Sequence, residues 1–216
     1  MRKLIFFAIS LLFLCIVGLS SCSAPAPSDL SLNQNPIVAK VVPMQIASGA
    51  IPEAAVLSKV IENGEKYKFS RVQDSELLHQ QIQDGTYNFT IMKTLDAAKL
   101  YKSSEKRIKI IATISKNLDW SIVANLNYLH LNMNNAAEFM QDISASIDWI
   151  YSNQKDAISM TAKDKLTSKS ELQPLIKKKI FKYLDGPKMK TELNKFFKKN
   201  KDLAPIPKSD IYFIRT

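Results

Sequence analysis

The sequence predicts an α/β fold: one mainly parallel sheet of four to five strands with flanking helices and a helical C-terminal region. Three observations predict it. Between Ile37 and Val123, short β-branched runs alternate with helix-periodic runs, the signature of βαβ units. Only 5 Gly and 9 Pro occur in 216 residues, too few for a turn-rich all-β chain. Beyond Asn125 the apolar residues recur at helical spacing almost to the end,.

Residues 37–44 (IVAKVVPM) read as a buried strand ending near Pro43,. Residues 47–50 (ASGA) form a small-residue loop, and Pro52 stands where the first turn of a helix tolerates it,. Ala55, Leu57, Val60 and Ile61 give that helix its apolar face, and Asn63-Gly64 ends it,. Residues 67–72 alternate as a second strand. Asp74 or Ser75 caps the next helix, Leu77, Leu78 and Ile82 form its buried side, and Gly85 is its C-cap,. Residues 87–91 are a third strand, Lys93-Thr94 a loop, and 95–101 a short helix. Fourth and fifth strands follow at 108–114 and 120–123. A helix over 136–152 buries Phe139, Ile143, Ile147 and Ile150 on one face,. Shorter helices cover 157–166 and 172–179, and 187–200 is another, with Met189, Leu193, Phe196 and Phe197 inward and Lys190, Lys195, Lys198 and Lys199 outward. The chain closes on an extended piece, 211–214.

The charge is uneven. Residues 155–216 hold 16 Lys and Arg against 7 Asp and Glu, whereas residues 22–154 hold 12 against 13. The basic balance reads as a solvated lysine face on the C-terminal helices, with attraction to anionic lipid head groups as the sharper alternative.

Catalytic and metal signatures are missing from the sequence. His79 and His130 stand far apart, and neither belongs to a metal-ligand spacing such as HExxH,. There is no Gly-rich phosphate loop and no GxSxG elbow,. The expectation is a protein that is not an enzyme, with no metal, no cofactor and no nucleic-acid partner.

The N-terminus carries an address. Arg2 and Lys3 precede the apolar run 4–19, which gives way to Ser20, Ser21 and Cys22, the charged, apolar, small-residue order of a secretory signal. The run is too short for a spanning helix, which needs roughly 20 residues. Leu19-Ser20-Ser21-Cys22 resembles the bacterial lipobox. The resemblance implies cleavage before Cys22 and attachment of a diacylglycerol to its thiol. Residues 1–21 are thus expected to be a lipoprotein signal peptide. Residues 22–36, rich in Ser, Ala, Pro and Asn, are expected to be a flexible tether,. Residues 37–216 are expected to be a single α/β domain. Cys22 is then the sole cysteine of the mature chain, which excludes an internal disulfide.

The order of elements carries a second resemblance. Its residues are the first strand with its Ser48-Gly49 loop, the stretch 82–91 (IQDGTYNFTI), the helix 97–101 and the strand 108–112. Residues 139–153, 181–189 and 207–213 extend it. Together these resemble the ABC-transporter solute-binding proteins of the type 2 periplasmic-binding fold, in particular the binders of nitrate, sulfonates and thiamine precursors. In that family a Gly-x-aliphatic/Tyr-Asp-hydrophobic segment leads into a ligand-facing loop. Here Asn88 replaces the Asp, and Lys93-Thr94 stands where a Pro-containing loop is common.

The resemblance implies a lipid-anchored, extracytoplasmic solute-binding-like protein on a cell membrane or outer membrane, with an ABC permease and a small solute as partners. Ligand contacts are expected at Ser48, Gly49 and Ala50, whose backbone N–H groups would head a helix. Thr94 and Trp120 are expected to contribute from neighbouring loops at the carboxyl edge of the sheet. Family members close two lobes on the solute, the chain crossing the hinge twice. Asn125 is followed, after only about ten residues, by the C-terminal helices, and a second lobe would need roughly 80 to 100 residues more than are present. The chain therefore reads as truncated or degenerate, with any second lobe supplied by a partner. The competing expectation is an envelope or surface lipoprotein that reuses the fold for protein–protein interaction.

Overall fold

The computed structural model describes residues 42–49 and 51–214. Six strands form one sheet in the order β2-β1-β3-β5-β4-β6. They are β1 (Met44–Ser48), β2 (Tyr67–Arg71), β3 (Phe89–Lys93), β4 (Ile108–Ser115), β5 (Trp120–Asn125) and β6 (Phe181–Asp185). β1 pairs in parallel with β2 and β3, whereas β3–β5, β5–β4 and β4–β6 are antiparallel. Four of the six strands, β1 to β4, thus point the same way. The α/β class with flanking helices is as expected. The sheet gains a sixth strand, because Phe181–Asp185 pairs with the free edge of β4. That pairing joins residues about 70 apart in sequence and leaves no local signal.

The helices are α1 (Ser58–Ile61), which continues a 3₁₀ turn at Pro52–Leu57, then α2 (Ser75–Asp84), α3 (Thr94–Ser103) and α4 (Leu126–Leu131). The C-terminal half adds α5 (Met133–Ser152), α6 (Gln154–Lys163), α7 (Lys169–Lys177) and α8 (Gly186–Lys199). Because side chains alternate along a strand, neighbouring residues serve opposite cores. Ile91 and Ile122 join one core, with Phe139, Ile143 and Ile147 of α5, and Met92 and Val123 join the other, with α3 and α8. A register shift between Ile110 and Ala112 sends both Ile111 and Ala112 to the α5 side, the local consequence of a β-bulge. On that side Phe89 and Phe139, both fully buried, stack with centroids 4.3 Å apart.

Local chemistry places the elements. Asp74 Oδ1 accepts from the backbone N–H of Glu76 and Leu77 and starts α2,. Gly85, at φ +85°, ends it in the left-handed region that glycine adopts without strain,. Asn125 Nδ2 donates to the carbonyls of Ile82 and Gln83, closing the same helix end, while its Oδ1 accepts from Tyr128 N–H to open α4. Asn88, in the position where the resembling family has Asp, accepts the Gln45 N–H on its side-chain oxygen at 2.6 Å. Its own N–H donates to Gln45 O at 2.8 Å. An amide oxygen suffices there because the task is to accept one backbone hydrogen bond between β1 and β3.

Several expectations shift. The first strand lies at Met44–Ser48 and so includes Ala47 and Ser48, which the sequence assigned to a loop. Val42, expected inside that strand, is 80% exposed. Lys93 and Thr94 do not form a loop: β3 runs directly into α3. Leu77 is 44% exposed, because α2 is anchored by Leu78 and Ile82 alone. The final extended piece begins as a 3₁₀ turn at Ser209–Ile211, after which Tyr212 bridges to Ile110 and Phe213 N–H donates to Ile110 O at 2.9 Å. The tail thereby covers the stretch of β4 edge that β6 leaves free.

Candidate functional site

The connections after β1 and β3 leave toward opposite faces: the 3₁₀ turn packs in the α5-side core, and α3 in the other. Adjacent strands whose connections diverge leave a crevice at their carboxyl ends, the usual ligand position in open α/β sheets. A cleft of about 370 Å3 lies there. Its walls come from the ends of β1 (Gly49), β2 (Val72, Gln73) and β3 (Lys93), with Trp120 from the start of β5 and His79 from α2. A second groove of about 470 Å3 shares Lys93, Asp96 and Trp120 with it and continues toward Lys99 and Phe196.

Of the five residues expected to contact a ligand, Gly49 and Trp120 line the cleft. Ala50 lies outside the described residues, as does Cys22. Ser48 is fully buried at the end of β1, and its Oγ has no hydrogen-bond partner among the described residues. Thr94 is also fully buried. Its Oγ1 donates to Leu118 O at 2.5 Å and lies 2.8 Å from Ser121 Oγ, and its N–H donates to Asp119 O. Thr94 therefore ties α3 to the β4–β5 hairpin, where Leu118 holds a left-handed φ of 65°.

The helix N-terminus expected after Gly49 takes another form. Residues Pro52–Leu57 make a 3₁₀ turn headed by proline, which has no N–H to offer,. The polar groups at the rim are instead side chains. Lys93 is exposed and has no acidic partner within ion-pair distance among the described residues. Asp96 sits 3.8 Å from Lys99. Burial pushes the Glu53 carboxyl above its ordinary value, its own backbone hydrogen bond acts the other way, and Asp119 and Lys93 bear on it in opposite senses.

Sequence reasoning passed over His79, Gln73 and Asp96 as site residues. The available signal was positional: each follows closely on the carboxyl end of a strand that runs parallel to β1. Among the described residues no cluster of three His, Cys, Asp or Glu is placed to hold a metal ion. No helix among them is long and apolar enough to cross a membrane.

No protein-family model and no curated protein matches the chain by sequence. Solved structures do match in shape. An ABC transporter protein from Parabacteroides distasonis superposes with a TM-score of 0.67 at 10% identity, over 82% of this chain and 100% of that one. The periplasmic aliphatic sulphonate-binding protein of Escherichia coli gives 0.60 at 7% identity, over 80% and 92%. The zinc-bound ligand-binding component of an ABC-type import system from Staphylococcus aureus gives 0.58 at 13%, over 79% and 96%. At such identities what is shared is the fold, and the chain is folded as the periplasmic solute-binding proteins of ABC transporters are.

Proposed function

We propose that this chain is a lipid-anchored, extracytoplasmic solute-binding-like protein of an ABC-type uptake system, and not an enzyme. The observation that carries the reading is the cleft at the carboxyl ends of β1, β2 and β3, between the diverging connections, with Lys93 and Trp120 at its rim. Gly49 and Trp120 serve as ligand contacts from the wall. An exposed ammonium beside an indole suits a small organic anion with an apolar portion. The names of the structural neighbours, which include a sulphonate binder and an import component, support the same direction. Anchoring rests on the lipobox-like Leu19-Ser20-Ser21-Cys22, with an ABC permease as the partner.

The reading includes shortening. The described residues contain one sheet, whereas the resembling family encloses its solute between two lobes. The structural matches extend over 92–100% of the neighbours' chains. The shortening rests on that single sheet and on the residue count of the sequence, and the coverage of the neighbours does not carry it. One wall leaves the solute partly hydrated, so affinity is low unless a partner supplies the second wall. That incompleteness favours the second reading, an envelope lipoprotein that binds another protein through this edge.

Titration of the purified chain with aliphatic sulphonates, carboxylates and neutral amides tests the proposal. A ligand at 100 times its Kd stabilises the folded state by about 2.7 kcal/mol, a readable rise in Tm. A rise with the anions, abolished by Lys93→Ala, is the expected result. No rise with any solute at millimolar concentration sinks the solute-binding reading and leaves the protein-binding one.

A further inference from the structure

We propose that the surface formed by α8, α3 and the segment 201–208 docks flat on an anionic lipid bilayer. Three observations converge there. First, α8 carries Lys188, Lys190, Lys195, Lys198 and Lys199 against one acid, Glu192. Glu192 pairs with Lys195 at 2.9 Å, and the other four lysines have no acidic partner within ion-pair distance among the described residues. Second, the chain beyond α8 presents two large apolar side chains to solvent, Leu203 at 61% and Ile206 at 55% exposure. Leu203 stands beside Lys99 and Phe196, and Ile206 beside Tyr101 and Lys102, so the segment lies along α3. Third, Pro205 and Pro207 flank Ile206. Each fixes its own backbone φ, which stiffens the segment on which Ile206 is exposed.

A single exposed leucine or isoleucine means nothing. Two on one proline-stiffened segment, bracketed by exposed Lys201 and Lys208, match a surface that pushes apolar side chains into the headgroup boundary while lysines meet lipid phosphates. The acids on this face are Asp96, Glu105, Asp202 and Asp210 besides Glu192. Asp96 lies 3.8 Å from Lys99, and Lys106 engages Asp210 at 3.1 Å. The balance stays positive. Lysine is depleted in protein–protein interfaces, whereas clustered lysines on a shallow face suit an anionic membrane. The docking face adjoins the solute cleft through the groove in which Lys99, Phe196 and Leu203 meet Lys93 and Trp120, and the proposal stands whether or not Cys22 is lipidated.

The test places an environment-sensitive fluorophore on Ile206→Cys in the full chain, with Met133→Cys as control. Met133 is 48% exposed at the start of α5, which packs on the other face of the sheet. The unsubstituted chain, labelled in parallel, sets the background from its own Cys15 and Cys22. With vesicles of mixed phosphatidylglycerol and phosphatidylcholine, a bilayer-resident quencher should dim the label at 206 several-fold more than the label at 133. Lys198→Glu with Lys199→Glu should weaken vesicle binding by roughly 30-fold or more, and raised salt should weaken it too. Equal quenching at the two sites overturns the proposal, as does insensitivity to charge reversal. Concentration-dependent shielding of residue 206 without vesicles also overturns it, since that result identifies a second copy of the chain as the occupant.

Discussion

Lys93 and Trp120 are direct register partners at the last rung of the antiparallel β3–β5 pair. Residues opposite each other across such a pair project from the same face. A cation and an indole therefore stand side by side, and both line the cleft and the groove that adjoins it. Neither residue is positioned by a loop, so the pair is held by the sheet itself.

That rigidity makes the pair a sharp test of solute binding. Trp120→Ala removes an aromatic anchor of the kind whose loss costs about 2 kcal/mol, roughly 30-fold in Kd. Lys93→Ala should weaken anionic solutes and leave neutral ones unchanged. Isothermal titration of both variants against one sulphonate and one neutral amide separates charge recognition from packing.

Thr94→Val should behave differently. The substitution keeps the shape but removes the donor to Leu118 O and the partner of Ser121 Oγ, both deep in the structure. Leaving such groups unpaired costs about 1–3 kcal/mol. The expected result is a lowered urea midpoint with solute affinity, measured without urea, kept within about twofold. A variant of full stability with lost affinity assigns Thr94 to the ligand instead.

The sequence made the cleft partly legible and its chemistry less so. Strand–helix alternation located the end of β1, hence Gly49, and the start of the fifth strand, hence Trp120 at the same edge, because each element is set by local periodicity. Ser48, expected in a loop, is the last residue of β1 and fully buried, which turns its hydroxyl inward. The difference lay in a strand shifted to Met44–Ser48, and a small shift decides which residues reach solvent,. Thr94 and Leu118 meet 24 residues apart through the hairpin, a contact no spacing rule reveals. β6 was invisible for the same reason, since Phe181–Asp185 is a strand only because β4 has a free edge.

The α5-side core offers a stability prediction. Phe139 contacts Phe89 face to face and Tyr67 at a centroid distance of 5.7 Å. Phe139→Ala should cost about 3–5 kcal/mol through lost burial and the cavity left behind. Chemical denaturation monitored by far-UV circular dichroism reads it, and a loss under 1 kcal/mol, roughly a surface value, contradicts the packing described.

Glu53 gives the chain a pH dependence of known sign. Burial holds its carboxyl above the ordinary value of about 4.3,, so the folded chain keeps that proton to higher pH than the unfolded chain does. The contribution is present in acid and is lost as pH rises through the folded value. Glu53→Gln should therefore gain stability relative to wild type between about pH 4 and 7. Lys93 acts to lower the Glu53 value, so Lys93→Met should steepen the wild-type trend. Melting curves across that range decide it, and parallel profiles for wild type and Glu53→Gln refute the burial account.

The anchoring part of the proposal is tested at Cys22. If the peptide before it is removed and the thiol acylated, intact-mass analysis of membrane-fraction protein shows loss of residues 1–21 with added lipid mass. Cys22→Ala leaves no thiol for acylation and should strand the precursor or release the protein. Because the docking face on α8 and 201–208 is independent of the lipid, the released form should still associate with anionic vesicles, only more weakly, since two membrane signals bind more stably than one. A Cys22→Ala chain that is processed and membrane-held as wild type is excludes lipid attachment at this residue.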